Sequence, residues 1–274
     1  MLDLTSRYSL AEQPLVKNDR DIRMFRSFIY HLAKESAALI HGYFGKPVQP
    51  EIKDDDSPVT RADREAEELM RDLIIHRFPD HGILGEEYGH HQPEAEYQWI
   101  LDPIDGTKSF ICGAVTFGTL IALYHKGAPV LGAIMLPMLD HFMIGDGRQT
   151  LLNGRPVRVR RCSDLSQAIL LATDHREIEK YHDGTAFEKL AGKVRMYRMH
   201  GDCYGYYLVA RGFADIMIDA KMAPWDILPL IPVMKGAGCV ITDYHGNPAD
   251  NGEGSIAAVP AIHPDVVGTL NPTR

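Results

Sequence analysis

Apolar residues recur at helical spacing over residues 18–44, where Ile22, Phe25, Ile29, Leu32, Ala33 and Ile40 share one face after an Asn18-Asp19 start. Gly42 and Gly45-Lys46-Pro47 close that helix. A polar stretch through Lys53-Asp54-Asp55-Asp56-Ser57-Pro58 follows. Thr60 then opens a second helix, with Ala62, Ala66, Leu69, Met70, Leu73 and Ile74 on its apolar side, ended by Phe78-Pro79-Asp80. Short apolar runs at 83–84, 99–101, 119–124 and 130–136, bounded by Gly and acidic residues, predict strands, several of them buried. Asn153-Gly154, flanked by Thr150-Leu151-Leu152 and Val157-Arg158-Val159, is a two-residue hairpin signal. Beyond about residue 153 the pattern predicts strands at 168–172, 194–198, 214–218, 239–242 and 255–259. Helices near 185–191, 202–212 and 225–237 alternate with them. An antiparallel-rich half followed by an alternating half predicts an α+β unit over 1–152 joined to an α/β unit over 153–274. A cleft between the two is the natural place for a small-molecule site.

Composition narrows the function classes. The net charge of −8, with no long run of Lys or Arg, disfavours bulk nucleic-acid binding. No stretch approaches the roughly 20 apolar residues of a membrane span. The N-terminal Met1–Arg7 segment lacks a basic region followed by an apolar core, so a cytoplasmic protein is expected. Cys112, Cys162, Cys203 and Cys239 show no CxxC spacing and read as buried free thiols. None of the 13 histidines forms HxH or HExxH, and His81, His90 and His91 read as surface residues.

Candidate chemistry lies in the acidic motifs. In Trp99-Ile100-Leu101-Asp102-Pro103-Ile104-Asp105-Gly106-Thr107 a buried run delivers two carboxylates at a strand's C-terminal end. Pro103 stiffens the turn, and Gly106 permits a conformation that a Cβ opposes. The Ile104 carbonyl can point inward beside the carboxylates, and hard divalent ions take such oxygen sets. An isolated motif of this kind is as well explained by a helix-capping surface loop. Matching acidic motifs on both sides change that balance. Upstream stands Gly85-Glu86-Glu87, with Glu86 placed as ligand or water-orienting base and Glu87 behind it or on the surface. Farther upstream, Thr60 and Asp63 have capping-box spacing. Lys53 and Asp54–Asp56 read as a solvated connector able to bring charge to the site. Downstream, Asp226 of Pro224-Trp225-Asp226 sits in the first turn of a helix, where the dipole favours negative charge.

These motifs, in this order and at these separations, resemble the inositol monophosphatase family from about residue 20 to 265. The resemblance implies a layered αβαβα sandwich that hydrolyses small phosphate monoesters with Mg²⁺ (two to three ions, with Mn²⁺ an alternative). It implies Glu86, Asp102 and the Ile104 carbonyl as ligands of one ion, and Asp102, Asp105 and Asp226 as ligands of another. Thr107 and Asp63 become a hydrogen-bonded pair near the nucleophilic water, which Glu86 also helps activate. The N–H groups at Gly106 and Thr107 would receive the phosphate, and a homodimer is usual.

Within the family, the segment Gly201-Asp202-Cys203-Tyr204-x-Tyr206-x-Leu208-Val209-Ala210-x-Gly212 looks like the histidinol-phosphatase branch, as do 117–123 and 230–233. Asp202, Cys203 and Asp219 are therefore candidate substrate contacts. Asp202 equally fits a cap for the helix at 202–212. Asp219 aligns with a carboxylate that meets substrate hydroxyls in inositol-specific relatives. The expected substrate is histidinol phosphate, whose amine pairs with a carboxylate. An inositol-1-phosphate or broad sugar-phosphate phosphatase stays open. A nucleotide 3′-phosphatase is weaker for want of an adenine site, and a silent metal-binding regulator is the alternative from another class.

Overall fold

The computed structural model describes residues 19–46, 50–53, 58–249 and 254–272. Asn18, Pro47 and the Asp54–Ser57 part of the polar connector lie outside them. Helix α1 (Asp19–Tyr43) leads through a short hairpin, β1 (Glu51–Ile52) and β2 (Pro58–Val59), into α2 (Arg61–Arg77). Then come β3 (Gly82–Gly85), β4 (Gly89–His91), β5 (Tyr97–Asp105), a single turn α3 (Thr107–Ile111), β6 (Gly118–His125), β7 (Ala128–Leu136), β8 (His141–Gly145), β9 (Thr150–Leu152) and β10 (Arg155–Val157). These strands from β3 onward form one sheet of order β10-β9-β8-β7-β6-β5-β3-β4, antiparallel except where β3 runs beside β5.

The chain continues as β11 (Ile169–Ala172), α4 (His175–Tyr181), α5 (Gly184–Ala191), β12 (Met196–Arg198), α6 (Asp202–Ala210), β13 (Ile216–Asp219), α7 (Pro224–Gly236), β14 (Val240–Thr242), β15 (Ser255–Ala258) and α8 (His263–Leu270). The second sheet has the order β12-β11-β13-β15-β14, with β11 parallel to both neighbours. The expected five layers are present. The pair α1 and α2 covers one face of the first sheet, α6 and α7 lie between the sheets, and α5 and α8 cover the outer face of the second.

Period-two alternation in β5 decides which residues reach the middle layer. Trp99 and Leu101 pack toward α1 and α2, whereas Ile100 packs toward α6 and α7. Asp102 follows on the Ile100 side. Strict alternation would send Asp105 to the other face. The register with β6 is interrupted between Asp102 and Asp105, and Pro103 sits within that irregularity, where a strand tolerates a missing N–H. Thr119 Oγ1 donates to the Pro103 carbonyl at 2.8 Å and holds the bulge.

Helix α7 is apolar nearly all round because both its faces meet sheets. It approaches the first sheet at glycines. A Cβ on Gly132 would stand 1.9 Å from the Pro229 carbonyl oxygen, and one on Gly145 2.5 Å from that of Pro232.

Two expectations about side chains are corrected. His81 is not a surface residue: it stacks on Phe78 and Tyr97 at 4.7 and 4.9 Å and accepts the Trp99 Nε1–H at 3.1 Å. Burial pulls its pKa down, which keeps Nδ1 free to accept. The four cysteines are free thiols, but only Cys203 and Cys239 are buried. Cys112 is exposed at the end of α3 and Cys162 is partly so, because loops rather than core elements carry them.

Gly132→Ala should lower stability by about 2–3 kcal/mol, since main chain and not a flexible side chain blocks the added methyl. Urea denaturation measures it, and an unchanged midpoint would refute the close α7 contact.

Candidate active site

Four elements meet where β5 breaks. Strand β5 supplies Asp102 and Asp105, the turn after β3 supplies Glu86, the start of α7 supplies Asp226, and the start of α2 supplies Asp63. Oxygen atoms of Asp102, Asp105 and Asp226 all lie within 4.8 Å of one another. Three of these carboxylates, Asp226, Asp105 and Asp63, are placed by main-chain donors near them. Asp226 accepts the Ala223 N–H at 2.7 Å, closing the first turn of α7 on itself. Asp105 accepts the N–H of Cys203, which ties β5 to the start of α6. Asp63 accepts the Thr60 N–H at 2.9 Å, so the expected cap is made, and its other oxygen lies 3.4 Å from the Thr107 hydroxyl. The same hydroxyl donates to the Ile104 carbonyl at 3.0 Å. Ile104 itself is fully buried, leaving only its carbonyl to serve the site.

Gathering like charges in a poorly hydrated place disfavours their ionised forms. Burial, then the charges of Glu86, Asp105 and Asp226, pushes the Asp102 carboxyl well above the usual range. Burial, then Asp202 and Asp226, does the same to Asp105. Burial raises Asp226 to about 7, against the pull of the Ala223 N–H. It also raises Asp63 to about 6. Lys53 reaches Glu86 at 2.8 Å and Glu87 at 2.6 Å, and burial still holds Glu87 at about 7.

The Asp102 Oδ1 atom is buried and has no hydrogen-bond partner among the described residues. A partnerless buried oxygen inside a carboxylate cluster fits a divalent cation with oxygen ligands.

The remaining candidates line the adjoining side. Gly106 adopts φ +88°, and a Cβ there would stand 2.9 Å from Asp202 Oδ2. Asp202 does not cap α6. Gly201 holds that position, and Asp202 is the first helical residue with φ +50°, an unusual conformation for a residue with a side chain. Burial and then Asp219 raise its carboxyl to about 7. Asp219, at the end of β13, is buried and accepts the Tyr206 hydroxyl at 2.8 Å. Burial lifts it to about 6 in spite of bonds from Thr173 and Tyr206. Cys203 is fully buried and enters the site through its N–H.

Sequence reading passed over Glu67, Thr173 and Tyr206. Glu67 is fully buried beneath the Glu86-Glu87 turn, and its signal was a charge four residues after Asp63 on the apolar face of α2. Thr173 joins the two acids of the adjoining side, accepting the Asp202 N–H at 2.9 Å. Tyr206 stands in the 201–212 motif without a role that sequence assigns it, and Thr173 carries no local pattern that marks it.

Comparison with known proteins places the chain in a family. The sequence pattern of the inositol monophosphatase family matches residues 21–272. A chloroplastic bifunctional phosphatase of Arabidopsis thaliana is 45% identical over 242 residues, covering 86% of this chain and 68% of that one. A histidinol-phosphatase of Chlorobaculum parvum is 37% identical over 242 residues, covering 87% and 93%. The structure of an inositol monophosphatase from Zymomonas mobilis superposes with a TM-score of 0.80 at 35% identity, over 92% of this chain and 97% of that one. No helix among the described residues is long and apolar enough to cross a membrane. The chain belongs to the inositol monophosphatase family, phosphoric monoester hydrolases acting on small phosphorylated molecules.

Proposed function

We propose that this chain hydrolyses histidinol phosphate to histidinol and phosphate with Mg²⁺. The observation that carries the phosphatase chemistry is the partnerless Asp102 Oδ1 among converging carboxylates, beside the Thr107–Asp63 contact. Glu86, Asp102 and the Ile104 carbonyl would hold one ion, and Asp102, Asp105 and Asp226 a second. Any third would rely on water, and Mn²⁺ would fit the same oxygen set. Bound there, the ions supply charge neutralisation for the phosphoryl group and a water that ionises near neutral pH.

The chain's own groups do the rest. Thr107 Oγ1, its proton directed to the Ile104 carbonyl and Asp63, presents lone pairs to the attacking water. Asp63 then has a carboxylate ready to receive a proton through that hydroxyl, and Glu86 would help activate the water. The N–H groups at Gly106 and Thr107, at the start of α3, would receive the phosphate oxygens. Hydrolysis by direct in-line attack follows, with no phosphoenzyme.

The substrate assignment rests on buried Asp219 and half-buried Asp202, beside the proposed phosphate end, and on likeness to the C. parvum histidinol-phosphatase. A cationic amine would meet them as an opposite charge as well as a hydrogen-bond donor, whereas a neutral polyol hydroxyl would supply only the hydrogen bond.

Three measurements test this reading. Chelator-stripped protein reconstituted with Mg²⁺ should release phosphate from histidinol phosphate in preference to inositol-1-phosphate, a sugar phosphate and a nucleotide 3′-phosphate. Asp102→Asn and Thr107→Ala should each abolish that turnover without unfolding the chain. Equal turnover of inositol-1-phosphate would discard the substrate and keep the chemistry, and no turnover at all would point to a silent regulator. Secondly, Asp202→Asn should raise KM for histidinol phosphate about tenfold and leave that for inositol-1-phosphate within about twofold, as loss of one charge-assisted bond requires. An equal rise for both substrates would place Asp202 away from the amine.

The third concerns pH. Asp63, Glu87, Asp202, Asp219 and Asp226 have folded pKa values of about 6 to 7, above unfolded values near ~4. The metal-free folded chain thus binds more protons than the unfolded chain in between, so its stability falls as pH rises. The penalty is absent below the unfolded values and complete above the folded ones. The melting temperature of chelated protein should therefore rise as pH is lowered from about 8 to about 6, and saturating Mg²⁺ should flatten that slope. A slope of the opposite sign would refute the clustered-acid picture.

A further inference from the structure

We infer that Glu67, with Arg71, is a positioning residue that fixes the Glu86 turn and thereby sets metal affinity. The inference rests on the metal-dependent reading above, and it concerns a residue that touches neither metal nor substrate. Glu67 lies one helical turn after Asp63, on the buried face of α2. Its side chain is completely excluded from solvent, which a carboxylate tolerates only when its oxygens are occupied. They are occupied by the turn that carries Glu86. Oε2 accepts the Glu87 N–H at 2.7 Å, and Oε1 accepts the Tyr88 N–H at 3.1 Å and Arg71 Nε at 2.7 Å.

Three further contacts make the clamp rigid. The Glu86 N–H itself bonds the Leu101 carbonyl of β5 at 3.1 Å, so three consecutive N–H groups of the turn are committed. Arg71 extends past Glu67 to the Gly89 carbonyl at the far end of the turn, and its guanidinium stands 5.9 Å from the Tyr88 ring centre. Gly85 leaves the space the carboxylate fills, for a Cβ there would come within 2.0 Å of Glu67 Oε1.

Since α2 also carries Asp63, one helix holds both the Thr107 partner and the anchor of Glu86. The spacing between those two groups is therefore set by a single turn of helix and not by loops. Glu86 contributes one side chain to the cluster and has a long, flexible stem. Holding its backbone from both sides removes motion that binding a cation would otherwise have to arrest.

The test uses Glu67→Gln in the full chain. A glutamine can keep its oxygen at Oε1, satisfying Arg71 and Tyr88, but then turns an NH₂ toward the Glu87 N–H. Outer groups of this kind are worth about 10–100-fold in metal affinity or activity. The Mn²⁺ dissociation constant, read by electron paramagnetic resonance on purified protein, should rise at least about tenfold. The Mg²⁺ concentration for half-maximal turnover should rise in parallel, while KM for substrate at saturating metal stays unchanged.

Melting in chelator reports whether the metal-free fold survives. Should the variant fail to fold, Arg71→Gln, which leaves both Glu67–amide bonds in place, is measured in the same way and should weaken Mn²⁺ binding to a lesser degree. Tight Mn²⁺ binding in either folded variant, within about twofold of the parent, would overturn the inference. So would a rise in substrate KM with metal affinity intact. A parent chain that binds no Mn²⁺ would instead overturn the metal-dependent reading.

Discussion

Mutual repulsion among carboxylates is the constraint to which the rest of this structure answers. Asp102, Asp105, Asp226, Glu86 and Asp63 are brought together out of reach of most water, although burial and proximity both oppose their charge. A loop could not hold such a set, because each side chain would swing away. Here the groups are anchored by main-chain N–H donors from the elements that bear them or lie against them. Ala223 serves Asp226, Cys203 serves Asp105 and Thr60 serves Asp63. Those donors offset part of the repulsion and leave other oxygens directed at one another. Raised pKa values are the remainder, a standing demand for positive charge that a single lysine, Lys53, meets only at the Glu86-Glu87 edge.

The architecture is what makes such anchoring possible. A strand alone would put Asp102 and Asp105 on opposite faces, and the irregularity at Pro103 brings both into the middle layer. There the N-terminus of α7 supplies Asp226 together with a dipole that favours anions. The helix must lie close against β7 for Asp226 to arrive, which explains glycine at 132 and 145, where any side chain would meet helix backbone. Two sheets with helices between them thus supply rigid edges on several sides of one small volume. A site on such elements is held more tightly than one on loops.

Much of this was legible in sequence, and the failures have physical causes. Helices α1 and α2 were read nearly to their ends because a full apolar stripe faces one sheet. The strands carrying Ile100 and Ile121 announced themselves as continuous apolar runs buried on both sides. Strand β8 was missed because its short apolar run follows closely on β7, separated only by the Pro137–Asp140 turn. Helix α4 was missed because it buries Ile178 alone and shows no periodicity, and α8 because Pro264 and Gly268 interrupt a short segment. Motifs located Asp102, Asp105 and Asp226, but no pattern gives the bulge that turns them to one side. Cys112 shows the limit of arguing from residue type, since a thiol takes its exposure from its element.

The two acidic regions differ in a way that bears on what each is for. In the first, Asp102 keeps an oxygen with no partner among the described residues, the arrangement of a site completed by something from outside. In the second, Asp219 is bonded by Tyr206 and by Thr173, while Thr173 also takes the Asp202 N–H. Hydroxyl groups lower the acidity penalty of Asp219 without cancelling its charge, so the field it projects toward Asp202 persists. A metal centre needs bare oxygens close enough to share one ion. A site for an ammonium group needs a fixed negative potential, with one carboxylate free to approach. Asp202, held at positive φ against Gly106, has that freedom on its side-chain end and none in its backbone. One acidic region therefore offers bare oxygens suited to a small hard ion, and the other keeps a fixed negative potential beside Gly106.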